Sequence, residues 1–179
     1  MVQTIKEART IKGNIKIKGA IKNGIDTSRL INLIVCFDSP ENFKIKGFTF
    51  PPNLFYIHEV SFSEAVGILI NNFKLEEKQA ISKVKKWRDE AGTGEIKREK
   101  EDESYENLVK NTNDIIVKER GEKYKIGNLD IIIIAGFLRE NINIVHARDK
   151  GFEETCKRLN INIIPTPKEE IKKEDSKRA

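Results

Sequence analysis

The sequence predicts a three-layer α/β domain in which helices cover both faces of a mostly parallel sheet. Strand-like and helix-like segments alternate along the 179 residues, which is the pattern of such a domain. The late strand candidates, 141–147 and 161–164, are dense in isoleucine, and such runs are typical of parallel strands buried on both faces. Hydrophobic residues make up 38% of the chain and charged residues 34%, so we expect one globular domain with a heavily charged surface.

The predicted elements follow from apolar periodicity and from residues that begin or end helices. Ile25 leads through Asp26 into a buried apolar helix, which ends at Asp38-Ser39-Pro40. The segment that begins near Asp130 is read as a buried helix. The other predicted elements are a loop at 40–53, a strand at 54–58, helices at 61–73, 76–91, around 105–116 and at 151–160, a solvated run at 95–103, and a frayed tail.

Several classes of protein find no support in the sequence. No apolar run reaches the roughly 18 residues of a membrane helix, and the N-terminus lacks the pattern of a secretory signal. The two cysteines, Cys36 and Cys156, have no CxxC spacing and are read as reduced thiols, so we expect a cytoplasmic protein. Glycine-rich phosphate loops and the GxSxG elbow are also missing. His58 and His146 lack ligand spacing and are predicted to be structural.

The positive charge is concentrated at the N-terminus. Residues 1–25 hold six basic side chains and one acidic side chain, an excess equal to the net charge of +5 of the whole chain. Lys and Arg gain affinity for polyanions by releasing phosphate counterions, so this arm favours a nucleic-acid partner. A solubilising terminus is the alternative interpretation. The abundance of Ile, Lys and Glu with little Gln resembles a thermophile's composition.

Four carboxylates are the chemical candidates. Asp26 and Asp149 end predicted strands, and in parallel sheets ligands bind beyond the carboxyl ends of the strands. Asp130 begins a helix, and Glu64 lies on another. Each acid has a structural alternative, because Asp is a preferred helix cap and Glu64 could be an exposed helix residue. An all-oxygen cluster suits a hard ion, Mg²⁺ or Mn²⁺, which favours metal-assisted phosphate-ester hydrolysis.

Three motifs in this order resemble those of PIN-domain ribonucleases over residues 21–165. They are Ile25-Asp26-Thr27-Ser28, the helix Ser63-Glu64-Ala65-Val66-Gly67-Ile68-Leu69, and Leu129-Asp130-Ile131 followed by NIVHARDKGFEETCKRLNINII. The division of the chain is then a basic arm at 1–20, a PIN-like domain at 21–165 and a charged tail at 166–179. The family often has Ser or Thr where Ala147 stands here.

The resemblance implies a five-stranded, mostly parallel sheet and a Mg²⁺- or Mn²⁺-dependent endoribonuclease. Its metal ligands and catalytic residues would be Asp26, Glu64, Asp130 and Asp149, with Glu59 as the alternative to Glu64. Thr27 and Ser28 would orient Asp26. The resemblance also implies frequent dimerisation, and many relatives are toxins paired with an antitoxin protein, while others process ribosomal RNA.

Basic residues are candidates for holding the RNA. Those beside the last acid are Lys150 and Arg148, for which a salt-bridge role is the alternative, and those of the arm are Lys16, Lys18 and Lys22. Two other functions stay open. One is a non-catalytic PIN-like module that binds RNA or a protein, and the other is a phospho-acceptor regulator with an acidic pocket.

Overall fold

The chain folds as a three-layer α/β domain around an all-parallel sheet. The computed structural model describes residues 20–37, 40 and 53–179. Residues 41–52 of the predicted loop at 40–53 and nearly all of the basic arm therefore lie outside the described residues, and Asn53 is the first residue of a strand. The strands are β1 (Ile21–Ile25), β2 (Asn53–His58), β3 (Gly94–Ile96), β4 (Ile144–Ala147) and β5 (Asn162–Pro165), in the sheet order β3-β2-β1-β4-β5. The predicted fold class and the five-stranded sheet are confirmed.

Seven helices are described. They are α1 (Thr27–Cys36), α2 (Glu59–Phe73), α3 (Glu77–Glu90), α4 (Asp102–Arg120), α5 (Asn128–Arg139), α6 (Lys150–Arg158) and α7 (Lys168–Asp175). One apolar core lies among α1, α2 and α3, and a second lies among α4, α5 and α6. The sheet separates the two cores, and the C-terminal residues of β1 and β2 are buried between helices on both sides. No described helix is long and apolar enough to cross a membrane.

A glycine sets the distance between the central strand and α5. A Cβ atom at Gly24 would lie 2.8 Å from the ring of Phe137, which is closer than carbon atoms approach without displacement. β1 and α5 therefore meet at van der Waals distance only because position 24 has no side chain. Asp26 follows this strand and Asp130 lies on this helix, so the contact fixes their separation.

The prediction of a solvated run at 95–103 is wrong at both ends. Gly94–Ile96 forms the edge strand β3, and α4 begins at Asp102, whose side chain is fully buried. Arg139 explains that burial, because its Nε donates to Asp102 Oδ1. A three-residue strand at a sheet edge carries too few apolar residues to produce a periodic signal.

The predicted frayed tail is also wrong, since α7 is helical and docks on α1. Glu174 is 2% exposed and accepts hydrogen bonds from Asn32, Arg148 and Arg178. Glu170 forms an ion pair with Arg29. Carboxylates from a charged segment are stable inside the domain here because each meets a guanidinium or amide donor.

Replacing Glu174 by Ala is expected to destabilise the protein by about 3 kcal/mol, the cost of breaking a buried ion pair. The loss leaves Asn32 and Arg148 without a shared acceptor. Urea unfolding measures the change. Asp175→Ala on the same helix is the matched control, because that half-exposed carboxylate is expected to contribute less than about 1 kcal/mol. Equal stability of the two variants would contradict this role of Glu174.

Candidate active site

The four candidate acids belong to elements that meet at the carboxyl edge of the sheet. Asp26 directly follows β1, and Asp149 lies two residues beyond β4. These strands are hydrogen-bonded neighbours, as the sequence predicts, and the backbone N–H of Asp26 extends the pairing by donating to His146 O at 3.2 Å. Glu64 reaches this edge from α2, and Asp130 from the first turn of α5.

Asp26 is a buried carboxylate that caps a helix. Its Oδ1 accepts from the backbone N–H of Arg29 at 2.8 Å, and Ser28 Oγ donates to both of its oxygens at 2.9 and 2.7 Å. The residue is 3% exposed. Burial raises the pKa of Asp26 to about 7, against the lowering effect of these hydrogen bonds, and the charges of Asp130 and Asp149 raise it further.

Asp130 and Asp149 lie at the N-termini of two further helices. Asp149 is the N-cap of α6, where its Oδ1 accepts from the N–H of Phe152 at 2.9 Å. Asp130 is the third residue of α5 and accepts from the N–H of Gly127 at 3.4 Å. Burial raises the pKa of Asp130 to about 6, helped by the charges of Glu64 and Asp149. The helix-cap interpretation is therefore correct for Asp26 and Asp149, and it coexists with a charge coupling between the acids.

Glu64 joins this group through a contact with α1. Thr27 Oγ1 donates to Glu64 Oε2 at 2.6 Å, and the charge of Glu64 acts on Asp130. Glu59 is held elsewhere, because its Oε1 accepts from the backbone N–H of Arg98 at 3.0 Å. The structure therefore places Glu64, and not Glu59, where its charge acts on Asp130. Of the two hydroxyl residues expected to orient Asp26, Ser28 contacts it, while Thr27 contacts Glu64 instead.

The resulting site is a partly buried acidic group, which we call the acid cluster: Asp26, Glu64, Asp130 and Asp149. Burial and the neighbouring charges raise the pKa of Asp26 and of Asp130, which destabilises their ionised forms, and a bound cation would relieve that cost. Its donors are all oxygen atoms, which suits a hard divalent cation. Within the described part of the chain, no three His, Cys, Asp or Glu side chains are grouped so that they would hold a metal ion as they stand.

The basic residues predicted to hold RNA differ in their position and in their partners. Arg148 is turned towards α7, where it pairs with Glu174 at 3.1 Å and Asp175 at 3.4 Å. Lys150 is exposed and takes part in none of the ion pairs found among the described residues. Lys22 Nζ donates to Glu140 O at 3.0 Å, near the opposite edge of the sheet. Lys16 and Lys18 lie outside the described residues.

Both histidines have structural partners. His146 Nε2 lies 3.0 Å from Asn23 Oδ1, and its pKa is lowered to about 4 by burial and by the nearby charge of Arg29. His58 is the N-cap of α2, where its Nδ1 accepts from the N–H of Val60 at 3.3 Å. Burial also lowers the pKa of His58. These contacts agree with the structural roles predicted for both residues.

The fold is similar to that of chains in two solved structures. One is VapBC2 from Rickettsia felis bound to a DNA fragment from their promoter, with a TM-score of 0.59 and 16% identity over 82% of this chain and 100% of the other. The second is VapBC-1 from nontypeable Haemophilus influenzae, with a TM-score of 0.57 and 14% identity over 81% and 98% of the two chains. No protein-family model and no curated protein sequence matches the chain.

The shared architecture is the PIN-like fold. The resemblance to PIN-domain proteins that the sequence motifs predict is confirmed at the level of the fold, by a likeness that spans nearly the whole of both matched chains. At identities of 14–16% the similarity shows the fold alone, so the chemistry depends on the residues of the acid cluster.

Proposed function

We propose that the protein is a metal-dependent endoribonuclease of the PIN type. The observation that carries this proposal is the acid cluster at the carboxyl edge of a parallel sheet, in which the charges of Asp130 and Asp149 act on Asp26, and those of Glu64 and Asp149 act on Asp130. A buried carboxylate with a raised pKa, grouped with further acids, is typical of a functional site and costly in a purely structural one. The similarity in fold to chains of VapBC supports the same class of enzyme, a PIN-type nuclease.

Mg²⁺ or Mn²⁺ is the proposed cofactor, held by the acid cluster. Such an ion, when bound, lowers the pKa of a coordinated water and stabilises negative charge on a phosphodiester. The side chains present fit it in chemistry, since all four offer carboxylate oxygens. Binding is expected to release protons near neutral pH, because the pKa of Asp26 is about 7 and that of Asp130 about 6 in the metal-free protein.

The chain's own residues have distinct parts in this proposal. Ser28 and the N–H of Arg29 hold the carboxylate of Asp26, and Thr27 holds that of Glu64. Such outer hydrogen bonds fix the direction in which a ligand oxygen points. Lys150 follows Asp149, is exposed and takes part in none of the ion pairs found among the described residues, so it is the proposed clamp for an RNA phosphate. Arg148 stabilises α7 instead.

Partners are proposed from the two matched structures. Both are VapBC, and toxins of toxin–antitoxin pairs are common among PIN-domain proteins, so we propose an antitoxin protein as a partner and RNA as the substrate. The fold is also compatible with a homodimer, which the oligomeric state in solution tests.

Binding of Mn²⁺ is expected to raise the melting temperature of the protein. A ligand at one hundred times its Kd stabilises the native state by about 2.7 kcal/mol, which for this chain length corresponds to roughly 5–10 °C. Differential scanning fluorimetry with Mn²⁺ and with EDTA measures the shift. Asp26→Asn is expected to lose most of it, and Asp114→Asn, the same change on the exposed face of α4, is expected to keep it. Equal shifts in both variants would contradict the proposed site.

A second candidate is a non-catalytic module that binds RNA or a protein. It is favoured by one observation, namely that Asp26 and Asp149 are already occupied as helix caps and that no metal-binding group stands ready in the described residues. This candidate predicts RNA that stays intact after long incubation with Mn²⁺, and binding that weakens when residues 1–20 are deleted.

A further inference from the structure

Two members of the acid cluster come from helices that a third helix holds together. Asp130 lies in the first turn of α5, and Asp149 caps α6. α4 contacts each of these helices more extensively than they contact each other, although the charge of Asp149 acts on Asp130. The spacing of these two acids therefore depends on the contacts that join α4 to the start of each helix.

A buried amide on α4 makes this connection. Asn113 is 4% exposed, and its Nδ2 donates to Tyr124 O at 2.8 Å and to Thr155 Oγ1 at 3.1 Å. Its Oδ1 accepts from the backbone N–H of Ile126 at 3.3 Å. A carbonyl oxygen can only accept and a backbone N–H can only donate, so these partners fix the orientation of the amide. Asn113 thus bonds both to the segment that leads into α5 and to α6.

On the side of α5, the connection ends at the carboxylate of Asp130. Ile126, whose backbone Asn113 holds, is followed by Gly127, the N-cap of α5. The N–H of Gly127 donates to Asp130 Oδ2 at 3.4 Å. A shift of residues 124–127 would therefore move the backbone group that bonds to this acid.

On the side of α6, the connection ends two residues from Asp149. Thr155 Oγ1 accepts from Asn113 and donates to Gly151 O at 2.8 Å. A Cβ atom at Gly151 would collide with Tyr124 O, so the first turn of α6 touches the segment before α5 only because position 151 has no side chain. The two helix starts are therefore in contact at the point where Asn113 bonds to both.

We propose that Asn113 is a positioning residue, which holds the starts of α5 and α6 together and so sets the spacing of Asp130 and Asp149. An apolar side chain would fill the core at this position at no polar cost, but it would not bond to either segment. Buried polar networks in which each member is bonded make a structure rigid. The inference rests on the proposed metal-dependent function, because the spacing of two ligands decides how well they hold one ion.

The test compares Asn113→Ala with Asn32→Ala in the full chain. Both changes remove a buried, hydrogen-bonded amide and are expected to lower the melting temperature, but Asn32 lies on α1 in the other core and bonds to α7. We expect Asn113→Ala to weaken Mn²⁺ binding about ten-fold in calorimetric titrations, as the loss of a group that supports a metal ligand does. Asn32→Ala is expected to weaken it by less than about two-fold, since distant sites act independently.

Hydrogen exchange in EDTA gives a readout that needs no metal. The reporters are the N–H groups of Gly127 and Phe152, which bond to Asp130 and Asp149. Asn113→Ala is expected to speed exchange at both by about ten-fold through local opening, and Asn32→Ala by less than about two-fold. Thr155→Val breaks only the link to α6, so it is expected to speed exchange at Phe152 and not at Gly127.

The outcomes separate this inference from the proposed function. The positioning role is overturned if Asn113→Ala binds Mn²⁺ as Asn32→Ala does, whatever its exchange rates. If wild-type protein does not bind Mn²⁺, the metal site is refuted, and faster exchange at Gly127 and Phe152 in Asn113→Ala alone still supports the connection, while unchanged exchange overturns it. If Asn113→Ala does not fold, Thr155→Val decides: weaker Mn²⁺ binding supports the role, and wild-type affinity overturns it.

Discussion

Asp149→Asn and Asp130→Asn are each expected to lose Mn²⁺-dependent RNA cleavage by roughly 100-fold or more, since even residues that only support a metal ligand cost 10- to 100-fold when replaced. Both residues belong to the acid cluster, and neither has a side-chain hydrogen bond that an amide oxygen cannot accept. Asn is as good a helix cap as Asp, so α5 and α6 are expected to keep their N-termini. The loss of activity would therefore report chemistry and not unfolding.

The control for this experiment is Asp114→Asn, an identical change on the exposed face of α4, which is expected to cleave RNA at the wild-type rate. Circular dichroism and melting temperature verify that all variants are folded. Retention of Mn²⁺-dependent cleavage by both Asp149→Asn and Asp130→Asn would refute the assignment of these acids.

Asp26→Asn is expected to stabilise the metal-free protein at pH 8 while abolishing cleavage. The pKa of Asp26 is about 7 in the folded chain, against an ordinary value of 3.8. Each pKa unit corresponds to about 1.4 kcal/mol, so holding this carboxylate ionised above pH 7 costs about 4 kcal/mol of folding free energy. The amide variant is expected to recover much of that free energy, because it is never charged and still accepts from the N–H of Arg29.

The sign of the pH dependence follows from the raised pKa. Between about pH 4 and pH 7 the folded protein retains a proton that the unfolded chain has released, so stability falls as the pH rises through this window. Above pH 7 the folded and unfolded states hold the same number of protons at Asp26, so its contribution to the free energy of unfolding no longer changes with pH. Urea unfolding in EDTA from pH 4.5 to 8 measures the slope. An Asp26→Asn variant that is less stable than the wild-type protein at pH 8 would contradict the predicted cost of ionising this buried carboxylate.

The sequence predicted the positions of the acids because their order along the chain decides their place in a parallel sheet. Asp26 and Asp149 each follow a strand, and neighbouring parallel strands end at one edge. The order of the elements along the chain could not predict in which direction the side chain of Glu64 points. Its helix shows one apolar stripe, while in the structure α2 packs between other elements and Glu64 meets Thr27, 37 residues earlier. Periodicity along one helix does not reveal which neighbours that helix has.

The sequence also did not predict the ion pairs between residues that are far apart in the chain. The tail at 166–179 is highly charged, and composition alone predicts that such a segment is solvated. In the structure Glu170 and Glu174 meet Arg29 and Arg148, residues far away in sequence. The pairing of Arg148 with α7 also removes one of the two predicted phosphate contacts beside Asp149 and leaves Lys150.

The most direct test of the acid cluster as a nuclease site is cleavage of a short single-stranded RNA by wild-type and Asp26→Asn protein, purified in parallel and assayed in Mn²⁺ and in EDTA. We predict cleavage by the wild-type protein in Mn²⁺ alone, with no cleavage in EDTA and none by the variant under either condition. Equal cleavage by both proteins, or intact RNA with wild-type protein in Mn²⁺, would contradict the proposed function.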